Sequence, residues 1–181
     1  MKREIEIKIL DIDVKRVRRD LRKIGGKLIM KPTLMHELYF ESAQKERAYS
    51  SLRLRKEGKK TFLTIKVKKE DKNFEIRDEY EIQVSSFEQA KKILEFMGFK
   101  IFRNREKIRE EYKLKDTKIE LDTYPNMNPY MEIEASSKKD VNTLLKSLNI
   151  KNSQIIKGTA TEIIKSEGLD PNNLTFKKTA L

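Results

Sequence analysis

The chain has 181 residues, 41 Lys or Arg against 29 Asp or Glu, a formal net charge of +12 and a charged fraction of 39%. That length suits one domain with room for a core, and the charge points to anionic partners: nucleic acid, a membrane surface or a phosphorylated small molecule. Without cysteine there are no disulfides, thiolate metal sites or cysteine nucleophiles, and without an apolar h-region or a run near the roughly 18 residues of a bilayer span, a cytoplasmic protein with no membrane attachment is expected.

Taken in order, a strand is predicted over Arg3–Leu10. Asp11 or Asp13 then caps a helix with Val14, Val17, Leu21 and Ile24 on one side, ended by Gly25-Gly26. The Met30–Met35 segment, with Pro32, reads as a connection. Strands follow at His36–Glu41 and Tyr49–Lys56, and the turn at 57–60 joins the second of them to Thr61–Lys68 as a hairpin. Beyond a charged loop carrying Phe74, Asp78–Val84 alternates as a strand. Ser86 with Gln89 opens a second helix with Ala90, Ile93, Leu94 and Met97 inward.

The order of helix and strands then repeats as a loose duplication: an extended segment over Lys100–Lys113, strands at Lys118–Asp122 and Pro129–Ala135, and a helix from Ser137 with Val141, Leu144, Leu145 and Leu148 inward. A short helix starts at Thr159, boxed by Glu162, and ends near Gly168. The expected organisation is a domain over residues 1–168 and a loosely attached tail over 169–181.

Within these strands, charged residues at spacing two share one face: Glu4/Glu6/Lys8, Arg53/Arg55, Lys66/Lys68, Glu79/Glu81, Lys107/Arg109, Glu120/Asp122 and Glu132/Glu134. The opposite faces are apolar. Eight short antiparallel strands fit a barrel or sandwich better than an open sheet, because closure removes exposed edges. If the apolar faces turn outward beneath the helices, the charged faces line the lumen. Charges held out of water need partners, and a metal-chelated triphosphate supplies them: Arg and Lys for phosphate oxygens, carboxylates for divalent cations.

These motifs, in this order over about residues 2–166, resemble the CYTH superfamily of triphosphate tunnel metalloenzymes: ExExK at Glu4-Ile5-Glu6-Ile7-Lys8, the basic pair in Leu52-Arg53-Leu54-Arg55, Thr64-Ile65-Lys66, Glu79-Tyr80-Glu81, Lys107-Ile108-Arg109, Glu120-Leu121-Asp122 and Glu132-Ile133-Glu134. The resemblance implies an α+β fold, a closed eight-stranded antiparallel β-barrel forming a triphosphate tunnel with amphipathic helices packed outside, and a requirement for Mg²⁺ or Mn²⁺. It implies Glu4, Glu6, Glu132 and Glu134 as metal ligands, assisted by Asp122 and by Glu120 or Glu81. Lys8, Arg53, Arg55, Lys66 and Arg109 are implied as the phosphate-binding and catalytic set, with Lys107 a further member. Lys157 is carried over as a lid residue, although Gly158-Thr159 follows it where the family commonly has an aromatic residue.

The activity expected is that of a class IV adenylyl cyclase, ATP to cyclic AMP and pyrophosphate. The alternatives are an inorganic tripolyphosphatase or thiamine-triphosphatase and, in another class, a non-catalytic polyphosphate- or RNA-binding module. Carboxylates interleaved with the basic strands disfavour nucleic acid as partner, because they repel a bare phosphate backbone. ATP, tripolyphosphate or thiamine triphosphate is the expected small molecule, and homodimerisation is left open. His36 is read as a strand residue near the barrel rim. Phe74, Tyr124 and Tyr130 either stack a nucleobase or thiamine ring or cover a barrel end.

Overall fold

The structure is a computed structural model, and it describes residues 5–42, 51–69, 76–151, 155–156 and 158–177. Among the described residues, ten strands and four helices follow in order as β1 (Ile5–Ile9), α1 (Val14–Lys23), β2 (Lys27–Ser42), β3 (Ser51–Glu57), β4 (Lys60–Lys69), β5 (Ile76–Val84), α2 (Phe87–Phe96), β6 (Phe99–Leu114), β7 (Thr117–Thr123), β8 (Tyr130–Ala135), α3 (Lys138–Ser147), β9 (Ile155–Ile156), α4 (Ala160–Ser166) and β10 (Asn173–Leu174).

The hydrogen-bonded order is β5-β4-β3-β2-β6-β7-β8-β1-β9, with β10 alongside β6. The registered ladders are antiparallel except that of β10, which is parallel. The antiparallel α+β architecture is as expected. Closure and a count of eight are not seen among the described residues, where nine strands form an order ending at β5 and β9 and a tenth, β10, lies beside β6. The two-residue strands β9 and β10 are too short to leave a sequence period, so they escape a pattern reading.

The chain divides into two compact units, which are not its N- and C-terminal halves. Unit 1 comprises residues 1–33 and 107–169. Its core joins Ile9 of β1, Tyr112 of β6, Ile119 and Leu121 of β7 and Met131 and Ile133 of β8 to Val17 and Leu21 of α1 and Val141, Leu144 and Leu145 of α3. Unit 2 comprises residues 34–106 and 170–181. There Leu38 and Phe40 of β2 and Leu52 and Leu54 of β3 pack under Phe87 and Leu94 of α2.

Local chemistry sets the helix starts. Asp13 accepts from the amides of Lys15 and Arg16 at 2.9 and 3.1 Å, and Thr159 and Glu162 cap each other reciprocally. The Met30–Met35 segment belongs to β2 and is not a connection. Pairing with β3 begins only at Met35, so Pro32 lies outside that ladder. On α2 the inward stripe is Phe87, Ala90 and Leu94. Phe87 rotates the stripe away from Ile93 and Met97, expected inward, which stand 58% and 66% exposed.

Residues 170–177 are tied to β6. Asn104 donates its amide to the Asn172 carbonyl at 2.8 Å, buried Arg105 donates Nε to the Pro171 carbonyl at 2.5 Å, and Phe176 donates its amide to Glu106 at 2.9 Å. Ending the chain at Leu169 removes these partners from a buried guanidinium and a strand edge. The shortened protein is expected to lose about 1–3 kcal/mol of stability, read as a lower denaturant midpoint; an unchanged midpoint would show that the strap bears no load.

Candidate active site

In unit 1 the alternation that sends Ile7, Ile9, Ile119, Leu121, Met131 and Ile133 into the core puts Glu6 and Lys8, Lys118, Glu120 and Asp122, and Glu132 and Glu134 on the other face. Register brings them side by side: Glu6 opposite Glu134, Lys8 and Glu120 each opposite Glu132, and Arg109 opposite Asp122.

Arg109 is the hub. Its Nε and Nη2 donate to the two oxygens of Asp122 at 2.6 and 2.5 Å, Nη1 reaches Glu120 at 2.5 Å, and Nη2 lies 3.6 Å from Glu132. Lys107 donates to Asp122 at 3.0 Å. Asp122 has no solvent exposure. Burial alone would raise its pKa, but Lys107 and Arg109 override that and hold the carboxyl far below the usual range. Lys8 pairs with Glu6 and, at 3.3 Å, with Glu132. Burial opposes its charge, yet the two carboxylates outweigh burial and keep it an ammonium.

Glu132 behaves differently. Burial first, then a hydrogen bond and repulsion from Glu6, push its pKa up to about 8. Lys8 at 3.3 Å and Arg109 at 3.6 Å offset this only in part. Oxygens of Glu120, Asp122 and Glu132 lie within 4.8 Å of one another. An all-oxygen donor set, in one member of which burial and a neighbouring carboxylate raise the pKa, fits a hard divalent cation such as Mg²⁺ or Mn²⁺.

Unit 2 carries the basic strands. Arg53 lies 3.4 Å from Glu37, 3.7 Å from Glu79 and 3.8 Å from Glu81, and Lys66 pairs with Glu79 at 3.0 Å. Glu81 accepts from Thr64 at 2.7 Å, and Arg55 stands 3.5 Å from it. The Nε atoms of Arg53 and Arg55 are buried with no hydrogen-bond partner among the described residues. Such donors are costly to leave unmet, and an anion would satisfy both.

The predicted residues thus fall into two groups: Glu6, Lys8, Lys107, Arg109, Glu120, Asp122, Glu132 and Glu134 in unit 1, and Arg53, Arg55, Lys66 and Glu81 in unit 2. Glu4, Lys157 and Phe74 lie outside the described residues. Sequence reasoning passed over Glu37, 2% exposed beside Arg53, and Lys118, 2.6 Å from Glu120. Both were legible by the same alternation, Glu37 with Tyr39 and Glu41 on β2, and Lys118 with Glu120 and Asp122 on β7. His36 contacts Asn104 at 2.8 Å and the Phe87 ring, a structural setting. Tyr124 and Tyr130 are 2% and 1% exposed and stack on each other at 6.2 Å, with the Lys107 ammonium over the Tyr124 ring. Those two rings are engaged with the protein itself.

Comparison with known proteins places this geometry in context. A family model described as the CYTH domain matches residues 2–166. A protein of Methanocaldococcus jannaschii, provisionally named an adenylate cyclase, is 31% identical over 172 residues, covering 88% of this chain and 97% of that protein. A solved conserved hypothetical protein from Pyrococcus furiosus superposes with a TM-score of 0.71 at 25% identity, covering 90% of this chain and 100% of the other. A Vibrio parahaemolyticus structure, also provisionally an adenylate cyclase, gives a TM-score of 0.74 at 15% identity over 91% of this chain and 98% of its own, a likeness of fold.

Proposed function

The chain belongs to the CYTH domain family, and from that premise we propose that it is a divalent-metal-dependent enzyme acting on a triphosphate, a cyclase converting ATP to cyclic AMP and pyrophosphate. The closed eight-stranded tunnel expected from the motif order belongs to the same proposal. The observation that carries it is the pair of buried Nε donors of Arg53 and Arg55 without a hydrogen-bond partner among the described residues, on guanidinium forks of the kind that bind phosphate oxygens.

In this reading Arg53, Arg55 and Lys66 are phosphate-binding residues, and so are Lys8, Lys107 and Arg109. Asp122 holds Arg109 and Lys107 in fixed positions, so these cations need no reorganisation when substrate charge shifts. Glu6, Glu132 and Glu134, with Glu4, Glu120, Asp122 and Glu81 as further candidates, would hold the cation. When bound, it supplies charge neutralisation and a lower pKa for the attacking oxygen. In cyclisation the ribose 3′-oxygen bonds to the α-phosphorus, the bond from that phosphorus to the bridging oxygen breaks, the hydroxyl proton passes to solvent, and pyrophosphate leaves.

One observation favours a second reading, hydrolysis of inorganic tripolyphosphate. Tyr124 and Tyr130 are sealed against each other and are not available to grip a nucleobase. Product analysis separates the two. Purified protein with Mg²⁺ or Mn²⁺ is expected to release cyclic AMP and pyrophosphate from ATP; orthophosphate from tripolyphosphate without cyclic AMP from ATP would establish the hydrolase. No turnover of ATP, tripolyphosphate or thiamine triphosphate would reject an enzyme altogether. The double substitution Glu4→Ala and Glu6→Ala is expected to abolish metal-dependent turnover and keep the fold.

A further inference from the structure

Of the carboxylates near Arg53, Glu37 has no part in the chemistry proposed above, although it is the most deeply buried. Its side chain is 3% exposed, against 42% and 32% for Glu79 and Glu81. A buried acid beside a phosphate-binding cation needs a reason, because its charge opposes the anion that the cation is there to hold. Strand alternation brings it to that place. With Leu38 and Phe40 in the core, Glu37 and Tyr39 of β2 share the other face, as Arg53 and Arg55 of β3 do against Leu52 and Leu54. Register sets Glu37 opposite Arg55 and Tyr39 opposite Arg53, and the Glu37 carboxylate reaches diagonally to Arg53.

A guanidinium presents Nε and Nη2 along one edge, with Nη1 on the other side, and that edge is a two-donor fork for a pair of phosphate oxygens. Glu37 takes the other side. Its Oε1 accepts from Nη1 of Arg53 at 3.4 Å, and its Oε2 accepts from the Tyr39 hydroxyl at 3.4 Å. Glu79 and Glu81 stand 3.7 and 3.8 Å from Nη2, beyond hydrogen-bond length, and Nε has no hydrogen-bond partner among the described residues. Burial opposes the Arg53 charge, and Tyr39, Glu37 and Glu79 more than offset it.

We propose that Glu37 is a positioning residue for triphosphate binding: braced by Tyr39, it fixes the Arg53 guanidinium from the Nη1 side and sets the edge of Nε and Nη2 for phosphate oxygens. This rests on Arg53 being a phosphate-binding residue, as proposed above, and gives the buried acid beside it a task. An arginine already held in place loses less rotamer freedom when the ligand binds.

Calorimetric titration in Mg²⁺ with the bis-methylene analogue of tripolyphosphate, in which CH₂ replaces both bridging oxygens, measures binding without turnover. Glu37→Gln keeps the side chain's shape and removes its charge, and it is expected to weaken binding about 5-fold, the effect of one side chain left to be ordered by the ligand. A carboxylate that merely stood near the site would give the opposite sign, since losing it strengthens the pull on an anion. In an Arg53→Ala background the same substitution is expected to change affinity less than about 2-fold, because it acts through Arg53. Glu37→Asp keeps the buried charge, and with it the fold, but shortens the reach; it is expected to weaken binding about 3-fold. Unchanged or tighter binding in Glu37→Gln or Glu37→Asp would overturn the proposal, as would an equal loss from Glu37→Gln without Arg53. A wild type that does not bind the analogue would overturn the phosphate-binding role of Arg53 as well, which tells the two failures apart.

Discussion

Replacing Arg109 with alanine is expected to cost about 3–5 kcal/mol of stability and to lower turnover by about 10²–10³-fold. The guanidinium holds both oxygens of Asp122 and one of Glu120, and it lies 3.6 Å from Glu132. Asp122 has no exposure and Glu120 only 4%, so truncation leaves buried carboxylates with too few cations and no water to take over. The size of the loss comes from these abandoned charges more than from any intrinsic worth of the ion pair. A second variant separates the two effects. Arg109→Met with Asp122→Leu removes the best-matched pair together and replaces it with apolar side chains of similar bulk, so part of the stability returns, while Lys107 still loses Asp122 and Glu120 still loses Arg109. The activity does not return, because the positive charge toward the phosphates is still missing. Denaturant midpoints and steady-state turnover, measured on both variants, check this; a double variant as unstable as Arg109→Ala would mean that Asp122 is not the partner that matters.

The legible part of this molecule is what strand alternation encodes. Lys8 and Arg109 could be placed on charged faces from their neighbours two residues away, since a strand with Ile, Leu or Val on one side and charge on the other has only one way to bury itself against a helix. Which charged faces meet was not legible. The join of Lys8 to Glu132 and of Arg109 to Asp122 depends on long-range register, β1 with β8 and β6 with β7, and no local pattern specifies it. Nor could spacing reveal that Asp122, expected as a metal ligand, would have its oxygens engaged by Arg109 and Lys107, or that burial and Glu6 would outweigh Lys8 and Arg109 at Glu132: both depend on three-dimensional burial. On α2, one residue decided the matter. Leaving Phe87 out of the inward stripe shifts the expected buried face round the helix, and it hid the outward set of Ile93, Phe96 and Met97. The segment after Leu169 carries no period, so its parallel pairing with β6 could be seen only in the fold.

The metal-free protein is expected to lose stability as pH rises from about 5 to 8, by about 2–5 kcal/mol in all. The sign follows from Glu132. Burial and the neighbouring Glu6 raise its pKa from 4.5 to about 8, so between those values the folded chain holds a proton that the unfolded chain has released. Stability falls with pH wherever the folded state binds more protons. The contribution is complete below the ordinary value and is lost as pH climbs through the raised one. Asp122 has a shift of opposite sign, but it titrates far below this window, and the raised pKa values of Lys8 and Lys118 lie above it, so none of these groups cancels the slope. Melting curves in chelator across this pH range measure the effect. Glu132→Gln, which carries the neutral form permanently, is expected to melt at nearly constant temperature and to be more stable than wild type at pH 8. Added Mg²⁺ or Mn²⁺ is expected to flatten the wild-type curve as well, because a cation among Glu120, Asp122 and Glu132 supplies the positive charge that the proton otherwise provides. A slope that survives in Glu132→Gln would assign it to another group and remove the reason for placing a cation beside this carboxylate.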